Sequence, residues 1–92
     1  MKLKVKEICG DSHQLSILIE DEISKRSCWY DVWNINEDGY EMDFNCYIFD
    51  LTNSKDIELK QFQDELLEHS EDVSSLIDEI INSFTLIIRE EK

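Results

Sequence analysis

The side chains best suited to catalysis in this sequence are two histidines and three cysteines. They are His13, His69, Cys9, Cys28 and Cys46. Nucleophilic catalysis needs a base and an orienting group within reach of the nucleophile, and neither histidine lies at a known catalytic spacing. The cysteines are odd in number and form no Cys-x-x-Cys pair, so we interpret them as small hydrophobic side chains in or near strands. The sequence therefore predicts a protein that is not an enzyme.

The segment 34–39 has oxygen-bearing side chains at the spacing that opens a calcium-binding loop. Its first, third, fifth and sixth positions hold Asn34, Asn36, Asp38 and Gly39. The twelfth position, where such a loop needs a bidentate glutamate, is Asn45. We therefore predict a tight hairpin instead, because glycine supplies the positive φ that such turns need. No metal is predicted, and no cofactor either, because the chain lacks a glycine-rich phosphate loop.

The chain carries a formal net charge of −13, and its acidity is concentrated in the C-terminal part. Residues 36–92 hold sixteen acidic and four basic side chains, whereas residues 1–35 hold six acidic and five basic. Such a surface repels the phosphates of nucleic acids and of anionic membranes. It favours a basic protein partner, through steering and charge complementarity. The alternative is that the acidity serves only solubility.

Seven acidic side chains and two tryptophans are the candidate partner-binding residues. The acids are Glu41 and Asp43 in a predicted strand, and Asp64, Glu65, Glu68, Glu71 and Asp72 in predicted helices. Like charges three or four residues apart destabilise a helix, so their retention points to a docking surface for lysine or arginine. A solvated helix face is the alternative. Trp29 and Trp33 are the candidate anchors.

Periodicity predicts the elements that must position these side chains. Alternation of apolar and polar residues predicts four strands, over about 3–8, 14–19, 27–35 and 40–49. The apolar period then changes to that of a helix, over about 55–68 and again from 73 to 84. Residues 84–89 fit a continued helix or a short final strand, and their β-branched content favours the strand. The predicted fold is α+β, a single domain over 1–92, in which an antiparallel meander packs two amphipathic helices on one face.

Alternation also assigns side chains to the two faces of the predicted sheet. In the third strand, Trp29, Asp31 and Trp33 share one face, and the residues between them share the other. In the fourth strand the core face is predicted to hold Tyr40, Met42, Phe44, Cys46 and Ile48. Glu41 and Asp43 then lie on the opposite face.

The sequence contains no stretch that approaches the roughly 20 apolar residues of a membrane-spanning helix. Its N-terminus, Met1 to Lys6, is basic but has no apolar signal core behind it. We therefore expect a cytoplasmic protein that has no membrane partner.

One segment carries a resemblance to known proteins. It runs from Trp29-Tyr30-Asp31-Val32-Trp33 through Leu66-Leu67-Glu68, a strand pair that leads into an acidic amphipathic helix. A small acidic chain of this kind resembles the bacterial immunity proteins that neutralise toxins, and it is similar to small phage-encoded inhibitors. The resemblance implies a non-enzymatic inhibitor that binds a basic enzyme, such as a nuclease, and occludes its active site.

Two other functions fit the same sequence. The first is a nucleic-acid mimic of phage origin, whose carboxylates are spaced like phosphates and block DNA-binding enzymes. The second is an assembly component, in which the apolar stripe 73–88 forms a dimer seam. The expected oligomeric state is accordingly a monomer or a homodimer.

Overall fold

The computed structural model describes residues 1–11, 13–45 and 48–90, with side chains as far as residue 83. Four strands come first, β1 (Leu3–Gly10), β2 (Gln14–Asp21), β3 (Ser27–Asn36) and β4 (Gly39–Phe44). Two helices follow, α1 (Ser54–Glu68) and α2 (Ser70–Glu90). The strands form one antiparallel sheet in the order β1-β2-β3-β4. The predicted α+β fold, a four-stranded meander followed by two helices, is confirmed.

The hydrophobic core lies between one face of the sheet and the two helices. This inner face presents alternate residues of the strands, because successive side chains in a strand point to opposite sides. The buried strand residues are Leu15, Ile17, Ile19, Cys28, Tyr30, Val32 and Phe44. The helices cover them with Phe62, Leu66, Val73, Ile77 and Ile81. The first part of the apolar stripe in α2 is therefore buried against the chain's own sheet.

Two predicted boundaries are wrong. β4 ends at Phe44 rather than near residue 49, and Ile48 is 91% exposed outside the strand. The predicted strand positions Cys46 and Tyr47 lie outside the described residues. The predicted final strand over 84–89 is helical, because α2 continues to Glu90. Extending an existing helix adds a hydrogen bond with each residue, whereas a new strand must first be nucleated against a sheet edge.

The helix ends follow signals that the sequence carries. Asn53 caps α1, because its side-chain oxygen accepts hydrogen bonds from the backbone N–H groups of Lys55 and Asp56. His69 separates the two helices, at the predicted break.

Arg26, from the turn after β2, pairs with Glu65 of α1 and lies 4.8 Å from the ring centroid of Phe62. Neither helix in the described part of the chain is both long and apolar enough to cross a lipid bilayer.

A buried carboxylate organises the turn between β2 and β3. Asp21 accepts hydrogen bonds from the Ser24 hydroxyl, at 2.8 Å, and from the backbone N–H groups of Ile23 and Lys2, both at 3.1 Å. The Ser24 hydrogen bond is the largest influence and outweighs burial, so the pKa of Asp21 falls from its ordinary value of 3.8 to about 2. The ionised form therefore ties the turn to the N-terminus of the chain.

We expect Asp21 to make stability depend on pH in the acid range. Its folded pKa lies below its unfolded value, so its contribution is complete above about pH 4 and is lost as the pH falls towards 2. Asp21→Asn should lower the urea midpoint at pH 7 and flatten the decline between pH 4 and pH 2. Urea titrations followed by circular dichroism at several pH values measure this. An acid decline of unchanged slope in the variant would contradict the assignment.

Candidate binding face of the sheet

The sheet face opposite the core is not covered by either helix, because both helices pack on the inner face. We call it the outer face. Register places its side chains in rows that cross the strands. One row runs Cys9, Ser16, Asp31, Asp43, and on either side of it lie the rows Glu7, Leu18, Trp29 and Gln14, Trp33, Glu41. The two candidate tryptophans and the two candidate acids of the sheet therefore share one surface.

On the β1 side of the outer face, Glu20 and Glu22 are paired with lysines. Glu20 lies 3.3 Å from the Nζ of Lys6 and 3.6 Å from the Nζ of Lys4. Burial opposes ionisation of Glu20, but the hydrogen bond and charge of Lys6, together with Lys4, hold its pKa below the usual range. Lys2 and Lys4 also contact Glu22. This part of the surface is consequently close to neutral.

On the β4 side of the outer face lie three carboxylates, those of Asp31, Glu41 and Asp43. Asp31 lies directly opposite Asp43 across the two strands, and Glu41 lies opposite Trp33. Within the described residues, no lysine, arginine or histidine nitrogen comes within 4.0 Å of these three carboxylates. Like charges placed directly opposite each other destabilise a sheet. The outer face therefore carries an uncompensated negative region.

Neutral donors hold these carboxylates in position. Asp31 accepts from the Ser16 hydroxyl at 3.0 Å through one oxygen, and from the Asn45 side-chain amide at 3.0 Å through the other. The Asn34 amide donates to Glu41. Asn34 adopts a positive φ of 52°, where the β3–β4 register shifts. The local distortion of β3 therefore accompanies the contact that positions Glu41.

Trp29 and Trp33 are both partly exposed. Trp29 borders two cavities. The first, of about 270 Å³, is lined by Cys9, Ser16, Trp29 and Asn45. The second, of about 240 Å³, lies where β4 ends and is lined by Leu18, Ser27, Cys28, Trp29, Asn45 and Leu59. An indole that is half buried beside open space is a side chain on which a partner can pack.

The five helical candidates do not join this surface. They lie on the two helices, which pack on the opposite side of the sheet. Asp64 lies 3.5 Å from Lys60, Glu65 pairs with Arg26, and Asp72 lies 3.7 Å from His69. Only Glu68 and Glu71 of this group lie farther than 4.0 Å from every basic nitrogen in the described residues. The candidate acids are therefore divided between two sides of the molecule.

The sequence candidates for partner binding omit Asp31 and the two residues that bond its carboxylate. Asp31 lies between the two tryptophans on β3, and Ser16 and Asn45 hold its carboxylate. Alternation alone places Asp31 on the tryptophan face, so its charge could have singled it out. Nothing in the sequence connects it with Ser16 or Asn45, because both lie on other segments.

Comparison with models of known protein families, with curated proteins and with solved structures finds no significant match to this chain.

Proposed function

We propose that this chain is a non-enzymatic binding protein that neutralises a basic partner protein through its outer face. One observation carries the proposal. Asp31, Glu41 and Asp43 have no basic nitrogen of the described residues within 4.0 Å, and they lie on the sheet face that the helices do not cover, beside two partly exposed tryptophans. The corresponding partner is a protein whose lysine or arginine side chains enter this face and whose apolar atoms pack on the indole rings.

The energetics of the outer face favour such a partner. The opposed carboxylates of Asp31 and Asp43 destabilise the free sheet, and a partner's cation relieves that repulsion on binding. Tryptophans are common anchors in protein interfaces, where they supply a large apolar area and a polar N–H. A face that is unfavourable alone and complementary to a cation supports binding rather than a purely structural role.

The remaining acidic residues support association in another way. Those on the helices add to the net charge of −13, which attracts a basic protein over distance and raises its association rate. Most of the five already have a basic neighbour, so we assign them to steering rather than to direct contact. The same charge disfavours nucleic acids and anionic membranes as partners.

The partner class follows from the resemblance to immunity proteins and small inhibitors. We propose that the partner is an enzyme with a basic active-site surface, such as a nuclease, and that the outer face occludes that surface. We also propose a cytoplasmic location. The thiol of Cys9 is exposed and free, which is the state that a reducing compartment favours.

Two double variants with the same charge change test the proposal. Glu41→Gln/Asp43→Asn alters the outer face, and Asp64→Asn/Glu68→Gln alters the helices. A protein captured by the wild-type chain from cell lysate is purified, and its dissociation constant for each form is measured at low and high salt. We expect the outer-face variant to bind at least about tenfold more weakly, and the helix variant within about threefold of wild type.

The controls and the contradicting outcomes are specific. Both variants must give the wild-type circular dichroism spectrum, and the Asp43→Asn change should raise the free energy of unfolding by about 0.5 kcal/mol, since it removes the repulsion with Asp31. Equal losses in both double variants would show that only net charge matters. Capture of many DNA-binding proteins, all displaced by DNA, would overturn a dedicated partner in favour of nucleic-acid mimicry.

A further inference from the structure

We infer that the 270 Å³ cavity beside Trp29 is the receptor for an arginine side chain of the basic partner. The inference rests on the proposed function and names the group that the outer face recognises. Trp29, Ser16, Asn45 and Cys9 line the cavity. Two of these residues, Ser16 and Asn45, are the hydrogen-bond donors to Asp31. The carboxylate of Asp31 therefore lies one hydrogen bond away from two sides of the cavity.

Asp31 is prepared to accept a cation. Each of its carboxylate oxygens already accepts one bond from a neutral donor, and a carboxylate has about four lone-pair sites, so about two remain. The neutral donors hold the group in place and leave its charge uncompensated. Asp43, directly across the strands, adds a second negative charge beside it. Asp31 is itself partly buried, which reduces the screening of its charge by water.

The surroundings of Asp31 suit a guanidinium better than an ammonium. Trp29 and Trp33 lie two residues before and after Asp31 on β3, so an indole flanks the carboxylate on each side along the strand. A guanidinium is flat, stacks on an indole and donates two parallel hydrogen bonds to a carboxylate. An ammonium is a compact, strongly hydrated point charge that matches neither feature as well. The geometry therefore favours arginine over lysine.

Three small molecules test the inference without a protein partner. They are the N-acetyl amides of arginine, lysine and citrulline, added to the isotope-labelled full chain and followed by NMR. Citrulline has almost the shape of arginine but carries no charge. We expect arginine amide to bind with a dissociation constant on the order of millimolar. It should shift the Trp29 indole N–H and the amides of Ser16 and Asn45. Compared with the arginine amide, the lysine amide should bind at least about threefold more weakly and the citrulline amide at least about tenfold more weakly.

Variants and thiol labelling give independent measurements. Asp31→Asn should weaken arginine-amide binding about tenfold, whereas the matched change Asp64→Asn on α1 should leave it within twofold. Cys9 is exposed and lines the cavity, so saturating arginine amide should slow its alkylation by iodoacetamide, as located by peptide mass spectrometry. This labelling uses the wild-type chain and needs no variant to fold.

The outcomes separate this inference from the proposed function. Equal shifts with arginine and citrulline, or shifts confined to the helices, would overturn the arginine receptor. If partner binding still depended on Glu41 and Asp43 in that case, the proposed function would stand. The opposite combination is also informative. If arginine amide bound at Trp29 but the Glu41→Gln/Asp43→Asn variant bound the partner as tightly as wild type, the arginine receptor would be supported. The proposed use of the outer face by the partner would be rejected.

Discussion

Leu66→Ala should lower the free energy of unfolding by about 3 to 5 kcal/mol, and Leu67→Ala, at the next position, by less than about 0.5 kcal/mol. Leu66 is 0% exposed in the core between α1 and the sheet, whereas Leu67 is 61% exposed. Truncating the buried side chain removes its burial and leaves a cavity. Truncating the exposed one removes little that is shielded from water. Urea denaturation followed by circular dichroism measures both changes.

The two leucines are a matched pair, because the substitution, the helix and the helix propensity are the same. A domain of this size has a total stability of about 5 to 15 kcal/mol, so Leu66→Ala could leave the chain close to unfolding. Similar losses at both positions would mean that α1 does not dock through the face that holds Leu66. A large loss at Leu67 alone would mean that α1 is rotated relative to the sheet.

Gly10→Ala should destabilise the chain by about 3 kcal/mol or more, and Gly39→Ala by about 1 to 2 kcal/mol. Both glycines have a positive φ, 110° at Gly10 and 139° at Gly39, which a residue with a Cβ rarely adopts. A Cβ at Gly10 would lie 2.2 Å from the carbonyl oxygen of Gln14, whereas at Gly39 nothing lies within 4 Å. The difference between the variants therefore isolates the steric clash from the backbone strain.

The clash at Gly10 has consequences for the turn between β1 and β2. The same Gln14 carbonyl accepts a hydrogen bond from the Asp11 N–H at 3.0 Å, and the Asp11 carboxylate accepts from the N–H groups of His13 and Gln14. Moving that carbonyl would disturb the whole turn. Thermal unfolding of the two variants at pH 7 measures the effect. Equal losses would show that the turn accommodates a Cβ by moving, and that strain alone is responsible.

We assign separate tasks to the two faces of the sheet, which makes the predictions independent of one another. Leu66 tests the stability of the core between the inner face and the helices, and Gly10 tests the turn between β1 and β2. The outer face carries Asp31 and Asp43, whose opposed charges reduce stability, and also Glu41; we assign all three carboxylates to partner binding. Variants of the outer face should therefore alter binding while they leave the fold intact, and the stability variants should do the reverse.

Local sequence patterns predicted most of the fold. Alternation in the strands separated the core side chains Cys28, Tyr30 and Val32 from Trp29 and Trp33, and the structure buries the first three. The helical period of α2 and the hairpin at Gly39 were also predicted. These features depend on residues within about ten positions of each other, whose spacing is visible in the sequence.

Two local ambiguities needed the structure. The apolar run after Phe84 has β-branched residues that suit a strand, but the helix that precedes it continues through it to Glu90. Alternation runs past Phe44 towards Ile48, although β4 ends at Phe44. In the run after Phe84, the preceding helix supplies the backbone hydrogen-bond partners that decide the conformation, and a side-chain pattern could not show this.

The composition of the outer face was decided only by the tertiary structure. The sequence placed Glu41 and Asp43 on one side of their strand, but strand register, shifted near Asn34, determines that Asp43 lies opposite Asp31. Likewise, only folding brings Arg26 to Glu65, 39 residues away, and gives Asp31 its donors from two other segments. By itself the sequence determined an acidic chain, a meander and the face that carries the tryptophans. Net charge is a sum over residues, and the other two properties follow from the local period of apolar side chains. Which carboxylates remain without a cation depends on contacts between distant residues, and register and packing establish those contacts only in the folded chain.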